Sequence, residues 1–289
     1  MMTQFEVANP ATPSPALLAA VLAIAHQAGA AIMRIYAGEI TVDLKQDDSP
    51  LTLADREAHR IITAGLQTLT PHIPVLSEES PPEHHAFATR GQWPTLWLVD
   101  PLDGTREFIK RNGEFTVNIA LIHQHRPTLG VVTVPAADLA YTGAAGLGAA
   151  RIESSQLESL QPPQPIRTRA AASKPVVVGS RSHRGDSLDA LLSKLGPHEL
   201  QSVGSALKFC RVAEGAADFY PRLGPTSEWD TAAGQAVLEA AGGQVLNLQG
   251  QPLSYNRRET LLNPEFMAVG DPRFAWQHLI QPAEYSRVE

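Results

Sequence analysis

In WLVDPLDGTREFI (residues 97–109) an apolar run that begins at Leu96 ends on a carboxylate. Such a run reads as a buried strand, with Asp100 at its C-terminal end. Asp103 follows after Pro101 and Leu102, and Gly104-Thr105 opens what reads as a helix. Two carboxylates this close repel unless they share a proton or a cation. The Pro-Leu link is expected to turn the chain tightly enough for both to aim at one point. Hard oxygen donors suit magnesium, which is commonly held by one or two carboxylates together with substrate phosphate. Gly104 lets the backbone approach a ligand, amides at a helix start cradle phosphate, and the Thr105 hydroxyl is placed to hold a water. A plainer reading stays open at this point: Asp-Gly is a common turn pair, and Asp103 is a serviceable helix cap.

Working outward, three more stretches carry acids at similar places. LSEES (76–80) sets Glu78 and Glu79 directly after a predicted strand. EWDTAAGQAVLEAAGG (228–243) puts Asp230 at a helix N-terminus, ahead of a small-residue surface that allows close packing. SPLTLADREA (49–58) puts Asp55 in the first turn of a helix. Each has a local alternative, an N-cap for Asp230 and a dipole-favoured surface acid for Asp55. Acids at four strand ends or helix starts are better explained by one shared metal site than by four separate caps.

The spacing predicts a first helix with Ser14 as N-cap, Pro15 at its first position and Gly38 just past its end. A second spans Leu53–Leu69, with Ala54, Ala58, Ile61, Ile62 and Leu66 as its apolar stripe. Strands are expected at Ile73–Leu76, Leu96–Val99, Phe115–Ile122 and Leu129–Val134. Residues 154–175, rich in Ser, Gln and Pro, read as a connector. Beyond it strand and helix alternate: Val176–Gly179, Leu188–Leu195, Leu200–Val203, Ser205–Glu214, Asp218–Tyr220, Thr231–Ala241 and Gln244–Leu246. Such alternation marks an α/β layer. The expectation is a layered α/β protein, with an α+β half over residues 1–165, an α/β half over 166–289, and the site in the cleft between them.

Composition narrows the function classes. Net charge is −7, from 30 Asp and Glu against 23 Lys and Arg, which argues against a nucleic-acid or anionic-membrane surface. One cysteine, Cys210, excludes an intrachain disulfide and a Cys-based zinc site and fits a reducing compartment. It reads as a packed residue rather than a nucleophile, and Trp93, Trp97 and Trp276 as core or interface aromatics. The apolar run Ala16–Ala25 is ten residues long, too short to span a bilayer. No Lys or Arg precedes it and Glu6 does, so it reads as a core helix rather than a signal peptide, and a cytoplasmic protein is expected. Glu83-His84-His85 reads as a solvated loop.

WLVDPLDGT (97–105) with WDTAAG (229–234) resembles the paired signature of the inositol monophosphatase-like superfamily. LSEES and LTLAD match its remaining acidic elements. KQDDSPLTLAD (45–55), SRSH (180–183), GSALKFCRVAEG (204–215) and PRLGPTSEWDTAAG (221–234) are similar to its bacterial bisphosphate nucleotidase branch, and the likeness runs from about Ala25 to Phe266. It implies a layered α/β/α/β/α sugar-phosphatase fold and a magnesium-dependent, lithium-sensitive phosphatase. By the same resemblance Glu78, Asp100 and the Leu102 carbonyl hold a first Mg²⁺, and Asp100, Asp103 and Asp230 a second, while a third, weakly held ion stays open. Asp55 and Thr105 would orient and deprotonate the attacking water, with Glu79 outside the ligand set.

Gly104 and Thr105 would meet the scissile phosphate through backbone N–H groups, where Glu78, Leu102, Asp103 and Asp230 also border the substrate. His183, Ser205, Lys208 and Arg222 match nucleotide-contacting positions, and Ser205 and Lys208, three apart, would share a helix face. Ala206 stands where serine is common in this branch. The implied substrate is adenosine 3′,5′-bisphosphate, cleaved to AMP and phosphate in sulfur assimilation, with 3′-phosphoadenylyl sulfate as a second substrate. Inositol or another sugar phosphate is the alternative. A non-catalytic nucleotide-binding regulator fits less well, because a binder needs no water-activating pair, and a nuclease conflicts with the acidic balance. Peripheral attachment at the cytoplasmic face of the inner membrane is allowed by the resemblance. Monomer and homodimer both stay open.

Overall fold

The computed structural model describes residues 13–44, 50–153, 162–180, 186–274 and 276–279. In chain order the first half comprises α1 (Pro15–Tyr36), β1 (Val42–Leu44), β2 (Pro50–Thr52), α2 (Leu53–Leu69), β3 (Val75–Ser77), α3 (Pro82–His85), α4 (Phe87–Arg90), β4 (Thr95–Asp103), α5 (Thr105–Ile109), β5 (Thr116–His123), β6 (Arg126–Val134), β7 (Leu139–Ala144), β8 (Gly148–Glu153) and β9 (Gln164–Ile166). There follow β10 (Val176–Ser180), α6 (Asp186–Leu195), β11 (Glu199–Val203), α7 (Leu207–Ala213), β12 (Phe219–Arg222), α8 (Glu228–Ala240), β13 (Gln244–Asn247) and β14 (Phe266–Val269).

Strands β3 to β9 form a seven-stranded sheet in sequence order, parallel between β3 and β4 and antiparallel beyond. A five-stranded sheet has the order β11-β10-β12-β14-β13. Its β10 runs parallel to β11 and β12, whereas β14 is antiparallel to β12 and β13.

Burial along β4 shows how the layers stack. Trp97 and Val99 enter a core shared with Val21, Ile24 and Ile32 of α1 and Ala58, Ile62 and Leu66 of α2. Leu96 and Leu98, on the opposite face, enter a second core with Phe209 and Cys210 of α7 and Ala233 and Val237 of α8. Alternate residues face opposite sides of a sheet, so covering both sides makes the run apolar throughout. Tyr220, Val245 and Phe266 of the five-stranded sheet close that second core. On the far side, Val177, Phe219 and Met267 pack with Leu188, Leu191 and Leu192 of α6. The order is therefore α1/α2, sheet, α7/α8, sheet, α6: an α/β/α/β/α stack.

Local chemistry sets the helix starts. Ser14 Oγ accepts from the Leu17 N–H at 3.1 Å, and Pro15 follows as the first helical residue. Thr52 and Asp55 form a capping box at α2, satisfying donors that a helix N-terminus leaves open. Helix α1 runs for 22 residues, and by length and mean hydropathy of 1.9 it could cross a membrane. The ten-residue run read from the sequence thus understates it. Burial rather than length marks α1 as a core element, since its apolar stripe packs on the sheet.

Several other expectations change. Part of the 154–175 connector is β9, which pairs with β8 as an edge strand. Glu83-His84-His85 is a short helix rather than a loop, with Glu83 and His84 exposed as expected and His85 turned inward. His85 donates from Nε2 to the Ser77 carbonyl at 2.9 Å and its ring lies 5.6 Å from that of Trp229, so α3 ties β3 to the start of α8.

Candidate active site

The two aspartates of the opening stretch are brought together by a bulge. Strands β4 and β5 pair in register as far as Asp100↔Asn118, and the next pair is Asp103↔Thr116. Strand β4 thus carries one residue more than its partner. In an unbroken strand, positions three apart point to opposite faces; the extra residue resets that phase and re-aims Asp103. The expected tight turn at Pro101-Leu102 is this bulge, inside a strand that continues to Asp103. Gly104 then adopts φ 90°, ψ 44°, a left-handed conformation. A Cβ there would run into Ser205 Oγ and come within 3.3 Å of the Glu114 carbonyl.

Each acid is held by backbone or side-chain donors. Asp100 is 1% exposed, and its Oδ1 accepts from the Leu102 N–H at 3.1 Å. Asp103 Oδ2 accepts from the Ala206 N–H at 2.6 Å, from Asn118 Nδ2 at 3.3 Å and from Thr116 Oγ1 at 3.4 Å. Asp230, in the first turn of α8, takes the Ser227 N–H at 2.9 Å. Glu78 follows β3 directly, its own N–H bonded to the Val99 carbonyl at 3.0 Å. Burial pushes the Asp100 carboxyl well above the usual carboxylate range, and the charges of Glu78, Asp103 and Asp230 push it further. Burial likewise raises Asp103, against the pull of Lys208. Asp230 is pushed up to about 8 by burial, then by Asp103 and Glu78.

Asp55 is 2% exposed rather than a surface acid. Its Oδ2 accepts from the Thr52 N–H at 2.7 Å and Thr52 Oγ1 at 2.6 Å, while Oδ1 accepts from Thr105 Oγ1 at 3.2 Å. One carboxylate therefore caps α2 and orients the Thr105 hydroxyl.

Two basic side chains lie among the acids. Lys208 is 6% exposed, not solvated; its Nζ donates to the Ser205 carbonyl at 2.8 Å and the Val203 carbonyl at 3.4 Å. Burial, working against the pull of Asp103, lowers it to about 8. Arg222, the last residue of β12, donates to the Gly224 and Pro225 carbonyls at 3.2 and 2.7 Å. Ser205 corrects the helical expectation. It precedes α7 with φ 50°, and its hydroxyl lies 2.9 Å from the Asp103 carbonyl and 2.7 Å from that of Glu114. Ala206 buries its methyl in the second core while its N–H holds Asp103. His183 lies outside the described residues.

A cavity of about 210 Å³ is lined by Glu78, Asp103, Gly104, Thr105 and Asp230 together with Ser205, Lys208 and Arg222. Asp55 lies behind Thr105, and Asp100 beside Glu78. Glu107 and Tyr220, which no sequence motif marks, also line it. A signal existed for both: Glu107 is an acid one residue past Gly-Thr-Arg, and Tyr220 lies two before Arg222, hence on its strand face. Burial pushes the Tyr220 phenol up; Arg222 pulls it back, and Asp103 and Asp230 add to the rise.

Among the described residues, no three His, Cys, Asp or Glu side chains are gathered around a single point as an ion would require. The donor chemistry nonetheless fits a hard divalent cation. Three buried carboxylates, each pushed up by burial and by the neighbouring Glu78, need positive charge or protons, and the Leu102 carbonyl follows Asp100 by two residues as a neutral oxygen donor.

Two sheets enclosing a helical layer, with carboxylates from both halves around one cavity, define a layered α/β/α/β/α phosphatase. The chain belongs to the inositol monophosphatase family, whose model matches residues 14–279. It is 52% identical over 252 residues to the 3′(2′),5′-bisphosphate nucleotidase CysQ of Salmonella typhimurium, covering 86% of this chain and 98% of that protein. CysQ of Haemophilus influenzae is 38% identical over 271 residues, covering 92% and 97%. The crystal structure of CysQ from Bacteroides thetaiotaomicron superposes with a TM-score of 0.75 at 43% identity, covering 87% and 96%.

Proposed function

We propose that this chain is a phosphoric monoester hydrolase that removes the 3′-phosphate of adenosine 3′,5′-bisphosphate, giving AMP and phosphate, in sulfur assimilation. The observation that carries the reading is one cavity whose lining combines the acids Glu78, Asp103 and Asp230 with the cations Lys208 and Arg222. One phosphate would sit by the acids and react, and a second would be held by the two cations. The sulfated precursor 3′-phosphoadenylyl sulfate offers the same arrangement.

Family membership implies dependence on a divalent cation. Glu78, Asp100, the Leu102 carbonyl, Asp103 and Asp230 would hold it; our proposal is Mg²⁺, two per site. When bound, the cation supplies positive charge and Lewis acidity at the reacting phosphate. The chain's own residues handle the water. Thr105 donates its hydroxyl proton to Asp55 Oδ1, which leaves its oxygen lone pairs turned to a water. A water proton taken up at Thr105 Oγ1 can pass on to Asp55 Oδ1, so the pair acts as general base. The Gly104 and Thr105 N–H groups are assigned to the scissile phosphate. Lithium and calcium are expected to inhibit, lithium because its charge is too small and calcium because its coordination is longer and looser. We propose a cytoplasmic enzyme acting on free nucleotide.

The test is phosphate release from adenosine 3′,5′-bisphosphate, adenosine 3′-monophosphate and inositol 1-phosphate, each with and without Mg²⁺. The bisphosphate should give the highest kcat/KM, and only with the metal. Preference for inositol 1-phosphate would return the chain to sugar-phosphate hydrolysis, and full turnover in excess chelator would remove the metal from the chemistry.

A further inference from the structure

On β12, Tyr220 and Arg222 are two residues apart and so stand on one face of the sheet. That face is turned toward α7. There the Tyr220 ring packs edge-on against Phe209 and Phe266, with centroids 5.1 and 5.6 Å apart, and Lys208 Nζ lies 5.3 Å from its centre. Tyr220 is 3% exposed and lines the catalytic cavity.

Buried phenols ordinarily find a hydrogen-bond partner, and others in this protein do. Tyr141 donates to Glu214 at 3.0 Å and Tyr255 to Gln235 at 2.6 Å. The Tyr220 hydroxyl has none among the described residues. Its ring is buried while its hydroxyl is not among the sealed-off polar atoms, so the donor is open to the cavity and free to meet a ligand there.

Donor arithmetic indicates which ligand. Lys208 has three N–H donors and places two on the Ser205 and Val203 carbonyls. Arg222 has five and places two on the Gly224 and Pro225 carbonyls. One remains on Lys208, three on Arg222 and one on Tyr220. These five donors suit the three oxygens of a terminal phosphate, each of which can accept more than one hydrogen bond.

We infer that Tyr220 is a specificity-determining residue whose phenol donates a hydrogen bond to the phosphate that is not hydrolysed, beside Lys208 and Arg222. This rests on the bisphosphate reading above. Lys208 and Arg222 attract any anion over several ångströms. The neutral phenol acts only on an oxygen placed within bonding distance, so it rejects a substrate that lacks that phosphate.

The experiment compares Tyr220→Phe with the wild type on adenosine 3′,5′-bisphosphate and adenosine 3′-monophosphate, with inositol 1-phosphate as reference. Phenylalanine keeps the ring packing, and a thermal melt checks the fold. The ratio of kcat/KM on the bisphosphate to that on the monophosphate should fall about 10- to 100-fold, the scale of a hydrogen bond to a charged group, and mainly through KM. An unchanged ratio, or an equal fall on both nucleotides, overturns the role of Tyr220 and leaves the substrate reading standing. A wild type that prefers inositol 1-phosphate overturns the substrate reading itself and this role with it.

Discussion

Thr105 and Asp55 are 50 residues apart in sequence and 3.2 Å apart in space. A hydroxyl held by a buried carboxylate can orient a water, and an isosteric methyl cannot. Thr105→Val should therefore lower kcat by about 100-fold or more, the usual scale for a general-base pair, whereas Thr105→Ser should keep most of it. Steady-state kinetics at saturating substrate and Mg²⁺ decide this; equal activity in both variants would take Thr105 out of the chemistry. The same residues also show where local reasoning stops. Asp55 at the start of α2 reads naturally as a surface acid, because its capping role is local while its partner Thr105 follows β4.

At the scale of elements, α8 lies unusually close to the seven-stranded sheet. A Cβ on Gly130 of β6 would collide with the Ala233 carbonyl of α8 and come within 2.7 Å of the Ala236 methyl; one on Gly143 of β7 would stand 2.5 Å from Val237 Cα. The small-residue surface read in the sequence is thus met by glycines on the strands it covers. Gly130→Ala should destabilise the fold by about 1–3 kcal/mol, as overpacking generally does. Gly38→Ala, where the nearest atom is 3.6 Å away, should stay within about 0.5 kcal/mol. Urea denaturation midpoints would show the difference, and equal midpoints would remove the packing argument.

A second device fixes the start of α8. Buried Arg90 donates to the His85 carbonyl and Asn256 Oδ1, both at 2.9 Å, and to the Arg258 and Glu259 carbonyls. Asn256 in turn donates its N–H to Glu228 Oε2 at 2.6 Å, two residues before Asp230. Arg90→Met would leave four acceptors without this donor and should cost about 3 kcal/mol, read as a lower denaturation midpoint. No change would mean that the network is dispensable.

At the scale of the whole molecule, Glu78 after β3, Asp103 of β4 and Asp230 of α8 line one cavity, with Asp55 of α2 behind Thr105, in a protein of net charge −7. Their mutual repulsion opposes folding, so a divalent cation that binds only the folded chain should stabilise it. Mg²⁺ at 100 times its dissociation constant corresponds to about 2.7 kcal/mol, a rise of several degrees in Tm. In Asp103→Asn that rise should shrink, because a neutral amide replaces an anionic donor. A Tm independent of Mg²⁺ in the wild type would count against the cation at this site.

The sequence by itself determined the elements whose signals are local. The start of α1 at Ser14-Pro15, the span Leu53–Leu69 and the buried β4 follow from capping, periodicity and apolar runs, whose partners lie within a few residues. It was less informative for β7 to β9. LAYTGA and GAARIE are rich in alanine and glycine, weak strand formers, and pair only because β6 offers an edge. Tertiary structure alone decided how the singled-out residues meet. The bulge that re-aims Asp103 exists because β5 sets the register. Ser205 has a positive φ of 50°, and its hydroxyl, with one proton, stands within hydrogen-bond distance of both the Asp103 and the Glu114 carbonyls. Lys208 is buried, and Tyr220 left without a partner, because α7 and β12 pack together from separate parts of the chain. Those contacts join residues far apart in sequence, and no short pattern records them.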